Sequence, residues 1–109
     1  MAHVIDGRTL AERLESRIAD ASKALTQSGV QPGLATLTVG ENYGAEAYER
    51  RLHKVADRLG CRYVAERLPE DVELADVLAM VGKLNADPRV TGILILRPLP
   101  RHIPEVDVY

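Results

Sequence analysis

The chain has 109 residues, enough for one domain or part of one, and its 46% hydrophobic and 28% charged residues are those of an ordinary globular protein. A net charge of −2 leaves no electrostatic footprint for nucleic acid or an anionic membrane, and a chain with four Tyr, no Phe and no Trp lacks base-stacking platforms. A single cysteine, Cys61, excludes an internal disulfide framework, the N-terminal MAHVIDGRTL has no apolar signal core, and the longest apolar run, Ile93 to Leu96, is far too short for a bilayer, so no membrane partner and a reducing cytoplasm are expected.

Thr9-Leu-Ala-Glu12 reads as a capping box that opens a first helix. Leu10, Leu14, Ile18, Ala21 and Leu25 then recur at helical spacing, opposite Arg13, Arg17, Asp20 and Lys23. Gln27-Ser-Gly29 and Pro32-Gly33 end it. Leu34 to Val39 is a β-rich run closed by Gly40, and Glu41 to Gly44 is a loop. A second helix is predicted from about Ala45 to Leu59, stopped by Gly60. Cys61 follows, read as a buried, inert thiol. Arg62 to Glu66 is a second strand. Pro69-Glu-Asp71 starts a third helix with the stripe Leu74, Val77, Leu78, Val81, Leu84, ended by Asn85-Ala-Asp-Pro88. Val90 to Leu96 is the third and most apolar strand, stopped by Pro98-Leu-Pro100. Pro104 to Tyr109 follows without a recognisable closing element, as in a truncated domain.

Strands alternating with helices predict an α/β fold, a three-layer αβα arrangement with a mainly parallel sheet. In such sheets ligands gather at the carboxyl ends of the strands. Here those ends are Gly40 to Gly44 and Arg97 to Pro100, with the start of the second helix between them.

Several fragments then align with one family. Ile5-Asp-Gly-Arg-Thr-Leu10, Val39-Gly-Glu-Asn42, Tyr48, Gly60, Leu84-Asn85, Gly92-Ile-Leu94 and Pro98-Leu-Pro100 resemble the bifunctional methylenetetrahydrofolate dehydrogenase/methenyltetrahydrofolate cyclohydrolase. Each fragment is weak alone; their order and spacing across the whole chain are specific. The resemblance implies that residues 1–109 are the folate-binding catalytic-type domain, the N-terminal half of a two-domain architecture, with an NADP-binding Rossmann domain outside this chain. It implies one-carbon interconversion of tetrahydrofolate, an oxidoreductase and a hydrolase in one multifunctional enzyme, of use to purine biosynthesis. It also implies a homodimer when full length. NADP serves the full-length family and is not expected to bind this chain alone.

The family pattern has a serine, a tyrosine, a proton-transfer lysine four residues past the tyrosine, and a glutamine before Pro-Leu-Pro that tunes the lysine. Tyr48 is present here. Ala45 stands at the serine, Leu52 at the lysine and Leu96 at the glutamine. Residues i and i+4 share a helix face, and a partly buried lysine can exchange protons near neutrality. Two leucines can pack where one leucine would strand its polar partner. Lys54 is turned about 200° from Leu52. His53 carries an imidazole, a group suited to acid–base work. Arg51 shares Tyr48's face but offers only fixed charge. The substitute catalytic set is therefore Tyr48, Arg51 and His53, and the substrate-binding set is Tyr48, Leu52, Leu96, Pro98, Leu99 and Pro100. Arg97 reads as a rim charge. His3 and His102 have no metal-like partners.

Three readings follow. The first is the family's catalytic domain with impaired or altered chemistry, acting on a tetrahydrofolate derivative. The second is a non-catalytic folate-binding or dimerisation paralogue. The third is a divergent enzyme on a related pterin substrate that uses His53 or Arg51.

Overall fold

Asp6, rather than Thr9, caps the first helix. A computed structural model describes residues 2–109, and α1 spans Gly7–Gln27. The Asp6 carboxylate accepts from the backbone N–H groups of Arg8 and Thr9 and, at 2.6 Å, from the Thr9 hydroxyl. These bonds, the Thr9 hydroxyl foremost, hold the Asp6 carboxyl below its usual range. Asp and Thr are both good caps; the one that reaches two N–H groups and the neighbouring hydroxyl takes the position.

Six further elements follow: β1 (Gly33–Val39), α2 (Tyr43–Arg58), β2 (Arg62–Leu68), α3 (Leu74–Ala86), β3 (Gly92–Ile95) and α4 (Glu105–Val108). The strands form one parallel sheet in the order β2-β1-β3. Leu34 stands opposite both Tyr63 and Gly92, which sets β1 in the middle. Its central place explains why both of its faces are buried, as in a strand covered by helices on each side. Leu37 and Val39 point to one side, into a core with Val72, Val77, Ile95, Leu99, Ile103 and Val108. Thr36 and Thr38 point to the other, under α2, where Thr36 shares a 2.9 Å hydrogen bond with the Tyr63 hydroxyl. The buried residues of α2 are Ala45, Glu49 and Ala56, a stripe at helical spacing. The result is the expected three-layer α/β fold with a parallel sheet.

Boundaries differ where turns intervene. The third helix starts at Leu74, not Pro69. β2 runs on to Leu68, and the Val72 N–H donates to the Pro69 carbonyl in a turn. β3 is shorter than Val90 to Leu96. The Val90 N–H is used by Asp87 in a turn, and the Thr91 N–H by Gly33. The sequence reading missed α4, whose Val108 enters the core. Gly33 is required by close approach: a Cβ there would lie 1.8 Å from the Arg89 carbonyl oxygen.

The first helix also departs from expectation in its packing. Its stripe is not covered: Leu10, Leu14, Ile18 and Leu25 stay exposed, and Ser22 is the helix's one buried residue. It meets the body at Ser22 Oγ, 3.9 Å from Cys61 Sγ, and at Glu15, 3.5 Å from Arg58. Cys61 is half-buried at that contact rather than fully enclosed. The outlying helix makes the chain broad and flat, with a radius of gyration of 16.4 Å, against about 13 Å for a compact domain near this size.

Candidate functional site

The carboxyl ends of β1 and β3 meet the start of α2, as the topology predicts. Gly40, at φ +81°, turns the chain out of β1. Asn42 then caps α2, its side-chain oxygen accepting from the Ala45 N–H at 3.0 Å. Two clefts lie on either side of this cap. The first, about 430 Å³, is lined by Asn42, Ala45, Tyr48, Leu94, Leu96 and Arg97 among others. The second, about 300 Å³, holds Gly40 and Glu41 against Pro98, Leu99 and Pro100.

The sequence-predicted residues divide between several places. Tyr48 is 48% exposed and presents its ring to the first cleft. Leu96 is buried beneath it, and its N–H donates to the Leu37 carbonyl at 2.9 Å, continuing the ladder past β3. Pro98, Leu99 and Pro100 wall the second cleft, with Leu99 reaching into the core. Leu52 lies one turn beyond Tyr48 on α2, half-buried and close to the Ala45–Ala56 stripe that faces the sheet. It is not among the residues lining the first cleft.

Arg51 and His53 do not line the first cleft with Tyr48. Arg51 lines a separate depression of about 580 Å³ with Glu15, Lys54, Asp57 and Arg58, between α1 and α2. That depression is larger but is an open, charge-lined surface groove away from the strand ends. His53 stacks on Tyr63 of β2, with ring centres 4.6 Å apart, and lies 3.7 Å from Asp57. Five residues of helix turn it about 140° from Tyr48, so the two rings face different neighbours. Burial pushes the Tyr63 phenol up from its usual range, against the opposing Thr36 hydrogen bond.

Arg97 is the residue that sequence reasoning undervalued. The strand ends at Ile95, so its alternation no longer decides where Arg97 points, and the side chain lines the Tyr48 cleft. Its guanidinium forks onto Glu105, Nε to Oε1 at 3.1 Å and Nη2 to Oε2 at 2.6 Å. Tyr109 adds a second tie, its hydroxyl donating to the Ile95 carbonyl at 3.1 Å. Together they fasten α4 across the end of β3.

The first cleft thus combines an aromatic face, an apolar floor, an amide and one cation. It suits a flat ring system. Its lining includes no His, Cys, Lys, Asp or Glu side chain. No cluster of His, Cys, Asp or Glu that could hold a metal occurs among the described residues, and no helix among them is long and apolar enough to cross a membrane.

Residues 5–109 match the family described as tetrahydrofolate dehydrogenase/cyclohydrolase, catalytic domain. A relative named bifunctional protein FolD 3, from Rubrobacter xylanophilus, is 62% identical over 99% of this chain and 34% of its own length. The bifunctional protein FolD of Enterococcus faecalis is 41% identical over 96% of this chain and 37% of its own. This chain therefore spans about a third of the length of the curated relatives it matches. Among solved structures, the Campylobacter jejuni bifunctional enzyme FolD, a methylenetetrahydrofolate dehydrogenase/cyclohydrolase, superposes with a TM-score of 0.91 at 28% identity, over 94% of this chain and 36% of that one. The Trypanosoma brucei enzyme, solved with NADP cofactor and an inhibitor, gives 0.89 at 30% identity, over 98% of this chain and 37% of that one.

Proposed function

The chain belongs to the tetrahydrofolate dehydrogenase/cyclohydrolase family through its catalytic domain, and from that premise we propose that it binds a tetrahydrofolate derivative in the cleft beside Tyr48. The observation that carries this reading is the cleft at the carboxyl ends of β1 and β3, with Tyr48 as its aromatic face and Leu96 as its floor. Residues 1–109 act as the folate-binding part of a longer multifunctional enzyme of one-carbon metabolism. In this reading that enzyme is cytoplasmic and homodimeric, and its 10-formyl product feeds purine biosynthesis. NADP belongs to its Rossmann domain. None of the three strands described here is followed by a Gly-x-Gly-x-x-Gly turn, which supports a nucleotide site outside these residues.

The chemistry is impaired or altered. In hydrolysis of a methenyl bridge, water adds to the bridging carbon and gives up both its protons as the formyl C=O forms: one leaves to solvent, and one reaches the ring nitrogen as its bond to that carbon breaks. Both transfers need a carrier near neutral pKa. The family's carrier position is Leu52, which packs toward the sheet, and its tuning position is the buried Leu96. Arg51 and His53 stand elsewhere and do not replace it.

A second reading, a folate-binding or dimerisation module without catalysis, is favoured by the same two leucines. Hydrolysis of methenyltetrahydrofolate, which needs no nucleotide, separates the two alongside calorimetry with tetrahydrofolate. Heat with little turnover, and turnover gained in the Leu52→Lys/Leu96→Gln double variant, support the impaired enzyme. Heat with no turnover in either protein supports the binding module. Vigorous turnover by the unaltered chain refutes the argument from Leu52, and no heat at all refutes the folate cleft.

A further inference from the structure

Arg97 has no task in that reading, yet it is the cleft's one permanently charged lining residue. Across Asn42, the neighbouring cleft carries Glu41, Glu70 and Arg101. Glu105 occupies one edge of the Arg97 guanidinium, through Nε and Nη2. A guanidinium has five N–H donors in a fixed plane, so the edge formed by Nη1 and the second Nη2 hydrogen stays available. The side chain is 71% exposed and open to an incoming anion. Glu105 orients the fork and also offsets part of its charge.

Resting on the folate assignment, we infer that Arg97 holds the anionic end of the cleft's ligand, a carboxylate of the glutamate tail, and so selects tailed folates over bare pterins. The geometry has three parts in line. A flat ring lies on Tyr48 over Leu94 and Leu96. The tail leaves along the wall that Leu96 and Arg97 form. The free edge of the guanidinium meets a carboxylate in the two-bond arrangement that planar fork favours. A point charge without that plane is a poorer match, so Arg97→Lys keeps only part of the selectivity.

The test is a calorimetric titration of the full 109-residue chain with three probes: a methylated tetrahydropterin without a tail, tetrahydrofolate, and its triglutamate. Arg97→Leu is expected to weaken both tailed ligands about five- to tenfold and the bare pterin by less than about twofold. Raising salt is expected to erode the wild-type preference, because an exposed contact is screened. Glu105→Gln breaks the same ion pair but leaves the guanidinium, so the preference for tails persists or grows. A purely structural role for the Arg97–Glu105 latch predicts instead that both variants lose all three probes alike, and that result overturns the inference. Binding of all three probes by wild type with no tail preference overturns it while leaving the folate cleft standing. Failure of every probe to bind wild type overturns the folate assignment and the inference with it.

Discussion

Two threonines on one strand, facing the same way, should respond oppositely to the same change. Thr36 and Thr38 both lie in the layer between β1 and α2 and are almost fully buried. Thr36 has a partner, the Tyr63 hydroxyl at 2.9 Å. Thr38 Oγ1 has none among the described residues. A buried polar group without a hydrogen bond costs about 1–3 kcal/mol, whereas a satisfied one contributes about 1 kcal/mol net. Thr38→Val keeps the branched shape and replaces the stranded hydroxyl with a methyl group, worth about 0.8 kcal/mol more when buried. It should therefore stabilise the chain by about 1–2 kcal/mol, a rise in Tm of roughly 5–10 °C. Thr36→Val removes a made bond and leaves the Tyr63 hydroxyl with only the Glu49 carbonyl at 3.5 Å; it should destabilise by about 1 kcal/mol. Urea denaturation of the two variants measures both. Equal signs, or a loss of stability in Thr38→Val, would refute the reasoning by showing that the Thr38 hydroxyl is satisfied. The strand register, carried one residue past the Leu37–Ile95 pair, sets Thr38 beside Leu96, so the pair also reports on the floor of the cleft.

Tyr48→Ala should lower tetrahydrofolate affinity about tenfold in calorimetry, because stacking a flat ring on an aromatic contributes about 1–3 kcal/mol. Its half-exposed ring carries little packing, so the urea midpoint should barely move. Asp87 is held at about pKa 2 by the Arg89 side chain first and the Arg89 backbone N–H second. Its pKa is depressed, so the stability it confers is present above the ordinary value of 3.8 and is lost as pH falls toward 2. Asp87→Asn should flatten the Tm profile between those limits, lowering Tm near neutrality, where that stability is lost, while leaving it unchanged at the acid end. Leu14 is 58% exposed, so Leu14→Gln should leave the chain's melting temperature within about 2 °C, where a core leucine would cost about 2–5 kcal/mol.

The layered fold was legible because its signals are local and repeated. The run Leu34 to Val39 is apolar or β-branched on both faces, and only a central strand wants that. Gly60 and Pro88 mark ends that no other residue types mark as well. The misplaced boundaries share one cause. At Asp6 and Thr9, and at Pro69 and Leu74, two plausible starts compete within five residues, and short-range hydrogen bonds, to the Asp6 carboxylate and across the Pro69–Val72 turn, decide between them. The exposed stripe of α1 is a different matter. Leu10, Leu14 and Ile18 have the periodicity of a packed helix, but periodicity says only that a face is apolar, and nothing in the pattern states what lies opposite.

The same distinction governs the site. Sequence spacing placed Tyr48 and Leu52 on one face of α2, and at about 100° per residue they are indeed only some 40° apart. That small angle separates the cleft wall from the sheet-facing layer: Tyr48 stands half-exposed beside Leu94, while Leu52 stands a turn deeper, near the line of Ala45 and Ala56. A side chain in that layer fills space whether or not it moves protons. A lysine can serve there only if a buried acceptor offsets the cost of removing its charge from water, and the position where the family resemblance puts that acceptor is the buried Leu96. Replacing either polar group alone would strand the other, and replacing both leaves neither stranded. Tyr48 and the Pro98 to Pro100 wall do not depend on that pair for their own packing. In the proposed reading the chain retains the shape of the folate cleft without the family's proton carrier, which is why resemblance reads the ligand of this domain more directly than its rate.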